Sequence, residues 1–263
     1  MARERRLIFG EVAELYDRSR PSYPDALVDD LVQLAGLGPG RSALEVGAGT
    51  GKATVMFALR GVPVLALEPS PEMAAVARRK LEPYPEVELV QSDFEHWDPH
   101  DAEFSLIYAA QSWHWVMPEL GYLRARAALA PGGRLAAFWN RPRWERVELR
   151  EELAAVYAAH APELALDNPM HPAGPLGPER QDDWERDIAQ TTGFDDARIR
   201  NYDWTCEYPA EEYAQLLETH SDTRMLSEER RAGLLTAVAQ EIGRHGGSLP
   251  MSYVTRLCLA RAV

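Results

Sequence analysis

Ala43-Leu44-Glu45-Val46-Gly47-Ala48-Gly49-Thr50-Gly51-Lys52 decides how this chain is to be read. An apolar run carrying one acid enters three glycines at alternate positions, and a helix-forming stretch follows. A strand that turns sharply into a helix needs glycine where φ is positive or where backbone and ligand approach closely. At the carboxyl edge of a parallel sheet, such turns receive nucleotide-like ligands. The dinucleotide fingerprint is G-x-G-x-x-G. Here the spacing is G-x-G-x-G, and Lys52 stands where the third dinucleotide glycine belongs. Glu45, two residues before the first glycine, is placed to meet a cation. The pattern points away from a pyrophosphate cofactor and toward a positively charged nucleoside.

Outward from this turn, strand and helix signals alternate from about residue 24 to residue 140. Leu27, Val28, Leu31 and Leu34 mark a helix face that stops near Gly36. Ala43–Val46, Val62–Leu67, Val87–Val90, Phe104–Ala109 and Leu135–Trp139 read as strands. Helical patterns begin near Thr50, Ser70 and Pro118, with Ser70 as N-cap and Pro71 at the first helical position. Strands alternating with helices imply a parallel sheet wound on both faces. After Asn140 a helix over Glu145–His160 is expected. The Pro- and Gly-rich stretch Ala161–Arg180 then reads as part of a lid or substrate-facing insertion. A helix over Asp182–Thr191, strands at Ala197–Tyr208 and Tyr253–Ala260, and helices at Ala210–His220 and Ser227–Arg244 complete the pattern. The expected fold is α/β: a doubly wound, mostly parallel, seven-stranded Rossmann-like sheet with a lid or insertion after strand five. Its expected parts are a lid helix and cofactor core (1–140), an insertion (141–192) and C-terminal elements completing the same domain (193–263).

The chain has 263 residues, 46% of them hydrophobic, enough for one large domain. With 28 basic against 41 acidic residues the formal charge is −13, which argues against a nucleic-acid partner. The Arg-rich stretches Met1–Arg6 and Arg141–Arg146 read as solvated surface. Cys206 and Cys258 are too few for a disulfide scaffold or a cysteine-built metal site. No secretory signal and no bilayer-spanning run is visible, so a cytoplasmic protein without a membrane partner is expected. No cluster of acids and histidines is spaced for a required metal.

Glu68 closes the second strand, seventeen residues after Gly51, where an acid accepts the ribose hydroxyls of an adenosine lying across the sheet edge. Pro69 and Met73 border an adenine slot on this reading. Asp93, in Gln91-Ser92-Asp93-Phe94, is placed to accept the adenine amino group, with Phe94 near the ring. The fourth strand ends in Gln111-Ser112-Trp113-His114-Trp115, where cofactor and substrate would meet. The plainer alternative is that Trp113 and Trp115 pack under the insertion.

Together the Glu-Val-Gly-Ala-Gly-Thr-Gly turn, Glu68, Asp93, Gln-Ser-Trp-His-Trp and Leu129-Ala130-Pro131-Gly132-Gly133 resemble class I S-adenosylmethionine-dependent methyltransferases. More narrowly, they resemble the small-molecule branch that includes trans-aconitate methyltransferase-like proteins. The likeness covers about residues 9–140 and is looser from 195 onward, where Thr219-His220-Ser221 and the Thr255–Arg261 strand fit that branch. Ser105 departs from the Asp that many relatives carry before the fourth strand's apolar core.

The resemblance implies S-adenosyl-L-methionine as cofactor and S-adenosyl-L-homocysteine as product. Glu45 and Gly47, Ala48, Gly49, Thr50 and Gly51 would hold the methionine and sulfonium region. Glu68 would take the ribose and Asp93 the adenine, with Pro69, Met73, Ser92, Phe94 and Gln111 completing the cofactor set. Phe9, Val12, Ala13 and Tyr16 fall on one helix stripe. In this family such a segment resembles a lid, with Tyr16 and Arg20 on the cofactor and Tyr23 toward the substrate. The alternative is a helix merely docked on the sheet.

Methyl transfer from a sulfonium is an in-line displacement in which the protein aligns the nucleophile and excludes water. His114 is the candidate base, and Trp113, His114, Asn140 and Arg141 are the candidate substrate contacts. His220 shares a helix face with Tyr213, Leu216 and Leu217, which suits a buried structural histidine. No Asp/Asn-Pro-Pro-aromatic motif follows the fourth strand, which argues against methylation of exocyclic base nitrogens. The expected reaction is methyl transfer to an O, N, S or carboxylate group of a small-molecule acceptor. The alternatives are a nicotinamide-dependent oxidoreductase or a non-catalytic S-adenosylmethionine-binding protein. The sequence leaves monomer or homodimer open.

Overall fold

Ala43–Val46 (β1) is buried at every residue and pairs in parallel with two neighbours, as a central strand of a doubly covered sheet must. The computed structural model describes residues 12–99, 103–164, 172 and 184–263. In chain order, Ala13–Ser19 (α1) and Asp25–Leu34 (α2) precede β1. Lys52–Ala58 (α3), Val64–Leu67 (β2), Pro71–Leu81 (α4), Val87–Val90 (β3) and Phe104–Ala110 (β4) follow. Pro118–Ala128 (α5) leads directly into Leu129–Arg143 (β5). Then come Val147–His160 (α6), Trp184–Gln190 (α7), Phe194–Pro209 (β6), Ala210–Glu218 (α8), Ser221–Arg224 (α9), Glu228–Arg244 (α10) and Ser248–Ala262 (β7).

The seven strands lie in the order β3-β2-β1-β4-β5-β7-β6. Strands β1 to β5 are mutually parallel where they pair, and β7 runs antiparallel to both β5 and β6. Order reverses between β1 and β4, so the carboxyl ends of these strands open onto a switch-point crevice. The expected seven-stranded, mostly parallel sheet is the one found.

Alternation along the strands sets the two cores, since successive residues face opposite sides of a sheet. Leu106 and Tyr108 of β4 meet α2 and α3 through Leu27, Leu31 and Phe57. Ile107 and Ala109 turn the other way, toward Tyr122 and Ala125 of α5 and Trp184 and Ile188 of α7. A third core packs α6, α8 and α10 against the far ends of β6 and β7, through Leu153, Leu217, Val238 and Met251. Truncating such fully buried aliphatics to alanine costs about 2–5 kcal/mol each.

Differences from the sequence reading are mainly of extent. Strands β5, β6 and β7 are longer than their apolar centres, because the β6–β7 ladder runs from Phe194↔Ala262 to Pro209↔Ser248 and draws polar flanks into pairing. The helix expected over Ala210–His220 ends at Glu218 as α8, and after extended backbone at His220 the separate short helix α9 follows. Ser70 caps α4 as expected, accepting from the Met73 amide, with Pro71 in the first turn. Phe9, the Met1–Arg6 stretch, Asp182 and nearly all of Ala165–Arg180 lie outside the described residues.

Candidate active site

The glycine turn is positioned by β1, which ends at Val46, and by α3, whose N-cap is Gly51. Gly47 has φ +72°, and a Cβ placed on it would lie 2.7 Å from the Ser112 Cβ. Only glycine fits both the torsion and the approach of the β4 loop. Ser112 also donates to the Val46 carbonyl, holding β1 and the β4 loop together.

Glu68 ties this turn to the next one. Its Oε2 accepts from the Gly49 amide at 2.7 Å and its Oε1 from the Ser70 amide at 2.8 Å. Both bonds are charge-assisted, so the carboxylate is fixed in place before any ligand arrives. Asp93 is similarly held: its Oδ1 accepts from the His96 amide at 2.9 Å and meets His96 Nδ1 at 2.6 Å.

These residues border a cavity of about 660 Å³. Of the residues singled out from sequence, Tyr16, Arg20, Gly47, Gly49, Glu68, Pro69, Met73, Ser92, Asp93, Phe94, Gln111, Trp113, His114 and Arg141 line it. Glu45, Ala48, Thr50, Gly51, Tyr23 and Asn140 do not. Ala48 and Thr50 are buried on the inner side of the turn.

Glu45 lies beneath the turn, 1% exposed. Strand alternation puts it on the α2–α3 side, where its Oε2 accepts from Thr54 at 2.6 Å and from Tyr108 at 2.8 Å. Burial pushes its carboxyl up to about 7, opposed by those two hydroxyls and reinforced by the charge of Glu68. Its influence on the cavity is therefore electrostatic rather than by contact.

Asn140 is likewise structural in its bonding. It is fully buried, donates to the Ser22 carbonyl at 2.9 Å and accepts from Thr255 at 2.6 Å. It thereby joins the segment before α2 to β5 and β7. Tyr23 packs edge-on against Phe138 at 4.9 Å and is hydrogen-bonded to Gln111. Burial raises its hydroxyl far above the usual value. Gln111 itself has φ +59°, a strained torsion for a residue with a side chain, at the carboxyl end of β4.

His114 is exposed on the cavity wall, and its Nδ1 accepts from Trp139 Nε1 at 3.3 Å. An indole N–H only donates, so the neutral ring carries its proton on Nε2. The cavity is also lined by Tyr122, Trp139, Trp184, Asp187, His220, Ser221 and Asp222. Sequence reasoning passed over most of these. Trp184 and Asp187 share one face of a short helix whose apolar members pack on α5, and nothing local marks that face as a cavity wall. His220 is buried as its helix pattern suggests, yet it borders the cavity.

The segment entering from α1 closes one end. Arg20 donates to Thr219 Oγ1 at 2.7 Å and to the Thr219 carbonyl at 3.0 Å, and its guanidinium lies 5.1 Å from the Tyr16 ring centre. Lys80 pairs with Asp17 at 2.6 Å, holding α1 onto α4.

Residues 43–133 match the methyltransferase domain family model. An uncharacterized methyltransferase of Mycobacterium tuberculosis is 37% identical over 154 residues, which cover 59% of this chain and 60% of that protein. The match thus spans about 60% of the mycobacterial relative's length. A protein of Anaeromyxobacter dehalogenans assigned as a type II methyltransferase shares the fold, with TM-score 0.62 and 21% identity over 92% of this chain and 97% of its own. Haemonchus contortus phosphoethanolamine N-methyltransferase 2, solved with S-adenosylhomocysteine, aligns with TM-score 0.54 and 16% identity over 97% of this chain and 56% of its own. The family match and the named relatives support S-adenosylmethionine as cofactor and methyl transfer as reaction class.

Proposed function

We propose that the protein transfers a methyl group from S-adenosylmethionine to a small-molecule acceptor held in the outer, aromatic half of the cavity. The observation that carries this reading is the joint placement of Gly47 and Gly49 of the glycine turn, Glu68 and Asp93 on the lining of a single cavity. The residues fit the cofactor: glycine at 47 admits what no Cβ would, and Glu68 and Asp93 are held in fixed orientation at the ends of β2 and β3. The cavity volume lies in the range of small-molecule sites.

On this reading Gly47 and Gly49 border the methionine end, Glu68 accepts from the ribose, and Asp93 and Phe94 flank the adenine. The cofactor supplies an electrophilic methyl group with its own leaving group. The chain's task is then alignment and exclusion of water. Trp113, Trp139 and Trp184 form the apolar side of the acceptor space, and the segment 141–192 acts as its lid. His114 borders the cavity with Nδ1 accepting from Trp139, which favours a role in orienting the acceptor over removal of its proton. Arg141, at the end of β5, offers a positive charge to an anionic group of the acceptor.

Calorimetry with S-adenosylmethionine, S-adenosylhomocysteine and NAD tests the cofactor assignment. Micromolar binding of the first two, weakened about tenfold or more in Glu68→Gln, is the expected result. Tighter binding of NAD would overturn the reading in favour of a nicotinamide enzyme. Labelled-methyl transfer into a metabolite extract then separates a catalyst from a non-catalytic binder.

A further inference from the structure

We propose that Glu152, Glu241 and His245 form a binding site for a divalent transition-metal ion of zinc type, apart from the catalytic cavity. Glu241 lies in the last turn of α10 and His245, four residues on, is its C-cap residue, and the two side chains meet on one side of that helix end. Glu152 comes from α6, which packs beside α10 in the third core. The three ligand atoms all lie within 4.8 Å of one another. His245 Nε2 is in contact with a Glu152 oxygen and lies 3.6 Å from Glu241 Oε1. Bonds of about 2.0–2.2 Å to one zinc ion bring ligand atoms within about 4.4 Å, so small side-chain rotations complete the set.

The backbone beneath these ligands is fixed. Leu153 and Ile242, the residues following Glu152 and Glu241, are both fully buried. The second oxygen of Glu241 is held by Arg244 at 2.5 Å, which leaves Oε1 turned to the imidazole. An arginine that orients a liganding carboxylate through its other oxygen is the kind of support that metal sites employ. A cavity of about 290 Å³ opens beside His245, lined also by Glu145, Arg146 and Glu148. It gives water ligands room to complete the coordination shell. With the imidazole neutral, the trio carries two negative charges, of which Arg244 compensates one. One nitrogen and two carboxylate ligands suit zinc better than magnesium, which seldom takes imidazole.

The ion would cross-link α6 and α10 and stabilise the C-terminal core without touching the methyl-transfer groups. The test uses the full chain freed of metal by a chelator, titrated calorimetrically with zinc chloride and with magnesium chloride as control. One saturable zinc site per chain is expected, with a melting temperature raised by about 5 °C at saturation. Glu152→Gln keeps the size and hydrogen bonding of the side chain, so it should fold and bind zinc ~10- to 100-fold more weakly. His245→Ala should lose the site, whereas His160→Ala on the same helical layer should retain it. Absence of a saturable zinc site, or a site indifferent to both Glu152→Gln and His245→Ala, would show the trio to be an ordinary ion-paired cluster.

Discussion

The lining contributed by the ends of β1, β2 and β3 and the lining contributed by β4, β5, α7 and the α8–α9 junction border the same cavity, yet they are built differently. On the first, function rests on backbone: Gly47 and Gly49 by their torsions, Glu68 through two amides, Asp93 through a turn. Every such residue lies within a few positions of a strand end. On the second wall, side chains from distant parts of the chain make the surface, as when Trp139 fixes His114 or Arg20 reaches Thr219. A backbone cradle holds its geometry whatever side chains surround it, whereas a side-chain wall changes with each substitution.

The comparison breaks most severely at Gly47. Gly47→Ala adds a strained torsion and a 2.7 Å encounter with Ser112 Cβ, and together these should cost about 4 kcal/mol. Denaturation with and without cofactor would show how the loss divides between stability and affinity. A variant within 1 kcal/mol of wild type in both would mean that the backbone wall is more pliable than described.

Glu45 makes the next largest effect, through pH. Its folded value of about 7 lies above the ordinary 4.5, so the native state holds a proton that the unfolded chain has released. The contribution to stability is present in full below pH 4.5 and is lost as pH rises through 7. The apo protein should therefore weaken by on the order of 3 kcal/mol from this group between pH 4.5 and 8, and Glu45→Gln should flatten that slope. Parallel stability–pH curves for the two proteins would assign the slope elsewhere.

Asn140 sharpens the boundary between wall and scaffold. Asn140→Ala removes its bonds to Ser22 and Thr255 and should cost about 2 kcal/mol of stability while cofactor affinity changes less than about twofold. A large loss of affinity in a stable variant would return this residue to the site. The smallest effect is expected at Arg20→Met, which frees α1 from Thr219 and should raise the cofactor KM about fivefold, near 1 kcal/mol. An unchanged KM would make α1 a docked helix rather than a lid.

What the sequence by itself determined is local and periodic. The alternation of strands and helices, the glycine turn, Glu68 at the end of β2, Asp93 after β3 and the Ser70 cap were all legible, because each depends on neighbours within a turn or a strand. The reading put Asn140 at the end of the fifth strand and Tyr23 in a lid segment, but could not tell which way they point. Alternation along β1 likewise turns Glu45 under the glycines, while Asn140 faces Ser22 and Thr255. Trp184, Asp187 and Asp222 became cavity residues only when tertiary packing brought α7 and the α8–α9 junction to the cavity. Glu152 met Glu241 and His245 only when α6 packed on α10. Partners so far apart in sequence leave no spacing to read, since hydrophobic packing of the helices brings them together and the polar groups follow.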